Sequence, residues 1–496
     1  MVIKMDPMDI MVADVNSEAL GIPRIVLMEN AGKCVAEQIF TISKKCKVAI
    51  YAAKGGNGGD GFVAARHLIQ KGYNVELYFI GTESGIKSSE TRMNWKIIQN
   101  LGIYNSSLNI FKIHDSSQVE PTNADIIIDA MMGTGVKGKL REPISTAVEV
   151  INDSDAVVVA VDIPTGMDPL TGSVTDRAVM ANHTVTFHKP KTGLLNADTK
   201  YVGNLTVCDI GIPMEAELFT GPGDILRLNR REMNSHKGQN GRVLVLGGNG
   251  NYSGAPALAA LAALRSGVDI AMVACPKSVS SSIRSYSPNL IVRDLSEDYV
   301  RFEDSSDILE LSDSADSVVI GCGIGIKDET GLVLNEMVEK IQKPIVLDAD
   351  ALKIVDRNVV KDSDKKIVLT PHKAEFRAFF QVDLPEDLDD KIKTVEGTAA
   401  ELGCTILLKG AVDIISDGNR TKLNSSGNPG MSVGGTGDVL AGLVAGLISK
   451  GHDVFEAAFL GSYINGTAGD IAEKSYGYNF LATDVINEIP KVFKEK

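Results

Sequence analysis

Short apolar runs bounded by turn-forming residues recur along the chain, with helix-length segments between them. In the first half they fall at residues 47–53, 74–80, 124–131, 156–164, 183–190 and 204–213. In the second half they fall at 242–248, 270–276, 317–323, 344–348, 366–370 and 405–409. Their Val and Ile content is nearly continuous rather than alternating, which predicts strands covered on both faces and therefore parallel sheets flanked by helices. A hairpin follows, 412–417 and 420–424, turning at Gly418-Asn419. Between the halves, residues 212–241 carry two prolines, several glycines and a charged stretch, then yield to a fresh strand at Arg242. The pattern predicts an α/β protein of two three-layer α/β/α domains, 1–215 and 225–496. No internal repeat or low-complexity tract interrupts it.

The most tempting candidate for a membrane span, 254–276, is broken by Arg265 and Asp269. It divides into a helix-like half (255–264) and a strand-like half (270–274), so a buried helix and strand are expected rather than a membrane span. The first twenty residues are rich in acidic side chains and lack an apolar core, so no secretory signal is expected. At 496 residues, 44% hydrophobic and 23% charged, the chain is globular and too long for one ordinary domain. Its net charge of −14 excludes a general nucleic-acid or membrane-surface binder. Anionic small molecules stay open, because backbone amides and single lysines bind phosphate locally. Six cysteines lie far apart with no C-x-x-C pair, which predicts free thiols in a reducing compartment rather than disulfides or zinc. A cytoplasmic homo-oligomer is expected.

Candidate chemistry concentrates at glycine-rich turns. In Gly427-Asn-Pro-Gly-Met-Ser-Val-Gly434-Gly435-Thr436-Gly437-Asp438, glycines and a threonine lead into a small-residue apolar run. Backbone N–H groups at such a helix start can crowd around an anion. Asp438, at the start of that helix, is placed to take a proton from a hydroxyl while the loop steadies a phosphate. A plain turn is the alternative for the glycines alone. Asp directly after Gly-Thr-Gly resembles the anion-hole and catalytic-base motif of the ribokinase-like superfamily.

In the first half, Lys54-Gly55-Gly56-Asn57-Gly58-Gly59-Asp60-Gly61 follows a strand and precedes a helix predicted from Phe62. Glycines there let backbone approach a pyrophosphate; a tight turn with an Asp cap is the alternative. Asp129 precedes a second glycine turn, Gly133-Thr134-Gly135-Val136-Lys137-Gly138-Lys139, and Asp162 precedes Pro164-Thr165-Gly166. All three turns lie beyond strand C-termini, where open α/β sheets place ligands. Carboxylates with the Asn57 side chain and the Thr165 hydroxyl give hard oxygen ligands for an alkali or alkaline-earth cation.

With Met28-Glu29-Asn30-Ala31-Gly32, these motifs resemble the NAD(P)H-hydrate epimerase family over roughly residues 1–213. The resemblance implies a Rossmann-like domain with potassium on Asn57, Asp129 and Thr165. It also implies substrate contacts from Gly56, Asn57, Gly58, Gly59 and Asp60, from Gly133 through Lys139, and from Asp162. The family's loop more often begins with two asparagines, where Gly56 stands first here, and Thr165 stands where serine is usual.

The second half is similar to ADP- or ATP-dependent NAD(P)H-hydrate dehydratases over residues 237–493. The similarity rests on Asn240-Gly241-Arg242, Gly247-Gly248, Gly254-Ala255-Pro256, Gly321-Cys322-Gly323, Thr370-Pro371-His372-Lys373-Ala374-Glu375 and Lys409-Gly410-Ala411, continuing to Asp438. It implies that Ala255, Gly323, His372 and Asp438 face the hydrated nicotinamide nucleotide. Lys409, Gly410, Ala411, Val412, Asp413 and Gly437 would hold the adenine nucleotide with its Mg²⁺. Two of these side chains have structural alternatives: His372 as a helix cap, Lys409 as a solvated charge.

The implied activity is repair of hydrated NADH and NADPH. One domain interconverts the C6 epimers, with Asp129 or Asp162 moving protons. The other uses Asp438 as base and ADP or ATP as phosphoryl donor to remove the hydroxyl. A ribokinase-like small-molecule kinase fused to a non-catalytic nucleotide-binding module is the alternative; the presence of Asp60, Asp129 and Asp162 favours catalysis.

Overall fold

A computed structural model describes residues 5–135, 138–363 and 365–494. Val136 and Lys137 therefore lie outside the described residues. The chain divides into two compact units, Met1–Ala216 and Glu217–Lys496.

The first unit holds β1 (Lys47–Ala53), β2 (Asn74–Ile80), β3 (Leu108–Ile113), β4 (Ile126–Ala130), β5 (Val157–Val161), β6 (His183–Phe187) and β7 (Asn204–Cys208). They form one sheet in the order β3-β2-β1-β4-β5-β6-β7, every neighbouring pair parallel. All of β4, and all of β1 beyond Lys47, is buried, as strands with helices on both faces must be. Helices Arg24–Ile42 and Gly56–Gln70 close one face around Phe62, Phe79 and Trp95; Ile144–Asn152 closes the other around Ile127 and Val158.

The second unit holds β8 (Arg242–Leu246), β9 (Ile270–Pro276), β10 (Ile291–Leu295), β11 (Ser317–Ile320), β12 (Ile345–Leu347), β13 (Ile367–Leu369), β14 (Thr405–Leu408), β15 (Asp413–Ser416) and β16 (Thr421–Asn424). Their order is β10-β9-β8-β11-β12-β13-β14-β15-β16, parallel as far as β14 and antiparallel through the last two. Strand period two sends Val243 and Val245 into one core and Leu244 and Leu246 into the other. The first core is covered by the Ala/Gly-rich helices Gly254–Arg265 and Thr436–Ser449, the second by Asp328–Lys340, Lys373–Phe380 and Leu388–Leu402. Among the described residues no helix is long and apolar enough to cross a membrane.

Two features depart from the expectations. The helix predicted from Phe62 begins at Gly56, so the glycine-rich turn is itself the first helical turn. That turn packs so closely on β1 that a Cβ at Gly58 would overlap the Ala53 carbonyl; only glycine lets the helix start there. The segment after Ala216 belongs with the second sheet. Phe219 bridges to Leu423, the Thr220 amide donates to the Leu423 carbonyl at 2.8 Å, and Lys422 pairs with the fully buried Asp224 at 3.1 Å.

Candidate active sites

In the second unit, four strands and one helix deliver side chains to one place. Asp348, Thr370 and Lys409 directly follow β12, β13 and β14, Cys322 lies two residues beyond β11, and Asp438 sits in the first turn of Thr436–Ser449. Asp348 is fully buried, and its Oδ1 accepts from Lys409 Nζ at 2.8 Å and from Thr370 Oγ1 at 2.7 Å. The Cys322 thiol and carboxylate oxygens of Asp348 and Asp438 lie within 4.8 Å of one another. Burial and the nearby negative charge of Asp348 push Asp438 from 3.8 to about 6, against the pull of the Cys322 thiol and the Lys409 ammonium. Burial opposes charge on Lys409, but Asp348 outweighs it and raises its pKa. Burial, then Asp438 and Asp348, hold Cys322 as a neutral thiol. Lys409 is thus an enclosed, paired ammonium rather than a solvated one. Asp438 is a carboxylate tuned toward neutrality, the condition for a general base.

A cavity of about 450 Å³ adjoins this group, walled by Lys409, Gly410, Ala411, Asp413, Asn428 and Gly437 among others. Asp413 fixes its turn, accepting from the Gly410 amide at 2.9 Å and Ser462 Oγ at 2.6 Å. Val412 instead packs against the hydrophobic core. Gly435 caps the Thr436–Ser449 helix with φ +101°, and a Cβ there would press on Leu258 at 2.6 Å. Thr436 and Gly437 of that helix's first turn line the cavity, and first-turn amides have no intrahelical acceptor, as an anion site requires.

His372 does cap the helix Lys373–Phe380: its Nδ1 accepts from the amides of Ala374 and Glu375 at 3.1 and 3.2 Å. An accepting Nδ1 puts the ring proton on Nε2, which lies 3.4 Å from Glu375 Oε1 on a half-exposed side chain beside Lys409. Gly323 and Ala255 are neighbours, a Cβ on Gly323 lying 3.3 Å from that of Ala255.

In the first unit, Asp129 is buried and accepts from the Thr165 amide at 2.8 Å, Thr165 Oγ1 at 2.7 Å and the Met131 amide at 3.2 Å. Burial lifts it to about 6 despite these bonds. Asn57 Nδ2 donates to the Val161 carbonyl at 2.7 Å, which turns its Oδ1 toward Gly133. One carboxylate and two neutral oxygens from these side chains suit a large monovalent cation better than Mg²⁺.

A cavity of about 300 Å³ lies nearby, its wall including Gly56, Asn57, Asp60, Thr134, Asp162 and Lys191. Asp162 has φ +64°, a strained conformation for a residue with a side chain. It is paired with the fully buried Lys191, whose Nζ also donates to Thr186 Oγ1 at 3.0 Å and the Phe187 carbonyl at 3.1 Å. Gly138 and Lys139 are exposed and form no part of that wall.

Sequence reasoning missed Asp348, Thr370 and Lys191, and gave Cys322 no chemical role. Asp348 carried a faint signal, an acidic residue closing an apolar strand.

The family model for NAD(P)H-hydrate dehydratase matches residues 243–491, and that for the YjeF-related protein N-terminus matches residues 24–193. The chain is 48% identical to a bifunctional NAD(P)H-hydrate repair enzyme Nnr of Methanothermobacter thermautotrophicus, over 98% of this chain and 95% of that one. It is 44% identical to the protein of the same name from Archaeoglobus fulgidus, over 97% of each. Among solved structures, a ribokinase-like superfamily protein from Enterococcus faecalis shares 25% identity at a TM-score of 0.50, covering 56% of this chain and 95% of its own.

Proposed function

The chain belongs to the family of bifunctional NAD(P)H-hydrate repair enzymes, and on that premise we propose a division of labour between its two units. The first interconverts the C6 epimers of hydrated NADH and NADPH. The second returns the S epimer to NAD(P)H at the expense of ADP, giving AMP and phosphate, or of ATP.

Hydroxide is a poor leaving group, so direct dehydration is slow. In the second unit Asp438 takes the proton of the C6 hydroxyl. That oxygen receives the terminal phosphoryl group, the phosphate ester departs as the ring nitrogen lone pair forms a double bond to C6, and loss of a C5 proton to water then closes the C5–C6 double bond of NAD(P)H and returns the lone pair to nitrogen. Lys409 and the amides of Gly434 to Gly437 stabilise the charge on the transferring group. His372 Nε2, Ala255 and Gly323 border the nicotinamide side, and Gly410, Ala411 and Asp413 the nucleotide side. Mg²⁺ bound with the nucleotide would supply charge neutralisation. The chain offers it no cage: among the described residues the one cluster with ligand spacing is Cys322, Asp348 and Asp438, and Asp348 is already held by Lys409 and Thr370.

In the first unit, Asn57, Asp129 and Thr165 would hold potassium, which supplies positive charge opposite the dinucleotide phosphates. Asp162 lines the cavity whereas Asp129 is spent on Thr165, so Asp162 is the carboxylate that handles protons. The six cysteines are free thiols, in keeping with work in the cytoplasm.

The observation that carries this reading is the group beside the larger cavity: Lys409, which lines it and pairs with the buried Asp348 at 2.8 Å, next to Asp438, a carboxylate raised to about 6. The test supplies the protein with mixed hydrate epimers and each nucleotide and follows the return of reduced-nicotinamide absorbance. Asp438→Asn should slow dehydration at least about a hundredfold and leave epimerisation intact. A well-folded Asn variant that dehydrates normally would overturn the role of Asp438.

A further inference from the structure

The smaller cavity gathers three carboxylates, Asp14, Asp60 and Asp162, around the single ammonium of Lys191. Asp14 comes from the first helix, Pro7–Ala19, and reaches the same wall as Asn57 and Thr134. The three acids are not equivalent. Asp162 is tied to Lys191, with Thr186 Oγ1 donating to it at 3.1 Å. Asp60 is enclosed, and burial together with Asp162 and Asp14 drives it far toward the neutral acid. Asp14 lies between them: burial raises it to about 6, Lys191 and Arg24 hold it back, and Asp162 adds to the rise. Glu90 and His188 stand further round the same wall. Asp14 lines the cavity without being driven as far toward the neutral acid as Asp60, so it can give and recover a proton near neutral pH.

We infer that Asp14 is a catalytic residue of the first unit, the acid that protonates the departing C6 hydroxyl during epimerisation. The inference rests on the epimerase reading of that unit. The Asp14 carboxyl proton passes to the hydroxyl oxygen, the C6–O bond breaks, and the ring nitrogen lone pair forms C6=N. Water leaves. A water then adds to the opposite face of C6, its electron pair forming the new C–O bond as the C=N pair returns to nitrogen, and its surplus proton passes to Asp162, from which it returns to Asp14 through water before the next turnover. One proton enters and one leaves, and no oxidant or nucleotide is consumed.

The test uses the full chain and one purified epimer without nucleotide, so that the dehydratase is silent, and follows the appearance of the other epimer chromatographically from pH 5 to 8. An acid must be protonated to act, so the wild-type rate should fall as pH rises through a limb near 6. Asp14→Asn should equilibrate the epimers at least about a hundredfold more slowly and lack that limb. Asp14→Glu should keep measurable activity with the limb displaced. Nucleotide-dependent dehydration of the S epimer should be unchanged in both. An Asn variant equilibrating at the wild-type rate, or a slow one keeping the limb in place, overturns the inference. Should the Asn variant fail to fold, an unmoved limb in Asp14→Glu overturns it equally. A wild-type protein that leaves the epimers at their spontaneous rate overturns the epimerase reading, and the role of Asp14 falls with it.

Discussion

At Asp438, burial and Asp348 carry a carboxylate from 3.8 to about 6, while the Cys322 thiol and Lys409 hold it back. A base works only when deprotonated, so dehydration should fade as pH falls through about 6. Removing the thiol removes one of the two restraints. Cys322→Ala should therefore raise the Asp438 pKa and move that acid limb to higher pH, with the plateau rate above it little changed; a rate–pH profile from 5 to 8.5 measures both. A limb that stays in place would deny the thiol any influence on the base. Asp438 was legible in the sequence because its signal is local, a carboxylate directly after Gly-Thr-Gly. Asp348 was not, because its meaning comes from Thr370 and Lys409, 22 and 61 positions away. Cys322 stood within the resembled Gly321-Cys322-Gly323 motif with nothing local to mark its thiol.

Among elements, the interior strands stood out because burial on both faces leaves them almost purely apolar. The two that periodicity passed over, β3 and β10, each lie at one end of their sheets. Each has open positions, such as Asn109, Lys112, Arg293 and Asp294, so its apolar run is broken. Helix starts were harder still. Glycine lowers helix propensity, and the packing of Gly58 on β1 overrides that preference in a way no local pattern reveals. The start of Thr436–Ser449 depends on Gly435 in the left-handed region with Leu258 and Ala482 against it. Gly435→Val adds a branched side chain to a strained φ and a filled space. It should cost about 1–3 kcal/mol, lower the melting temperature of the second unit, and slow dehydration by displacing the turn that carries Asp438. Epimerisation by the same variant should be unaffected. Thermal melts and the two assays separate these effects.

For the whole molecule, the sequence located the junction within a window of mixed composition, and the structure narrows it to Ala216 and Glu217. The contacts that decide it, Phe219 and Thr220 with Leu423 and Asp224 with Lys422, join residues about two hundred positions apart and leave no trace in composition. A fragment beginning at Glu217 should fold and dehydrate one epimer fully, leaving the other to spontaneous interconversion. One beginning at Arg230 strands Lys422 without its buried partner and should be less stable by about 3 kcal/mol or more in urea titration. Equal midpoints would remove the 217–229 segment from the second unit. The hydrophobic clusters of the two units have no described residue in common. Joined in one polypeptide, two such self-sufficient bodies are always made in equal number. A cell carrying this gene cannot adjust the balance between the two repair steps by transcription or translation; it is inherited in the turnover numbers, and only mutation can reset it.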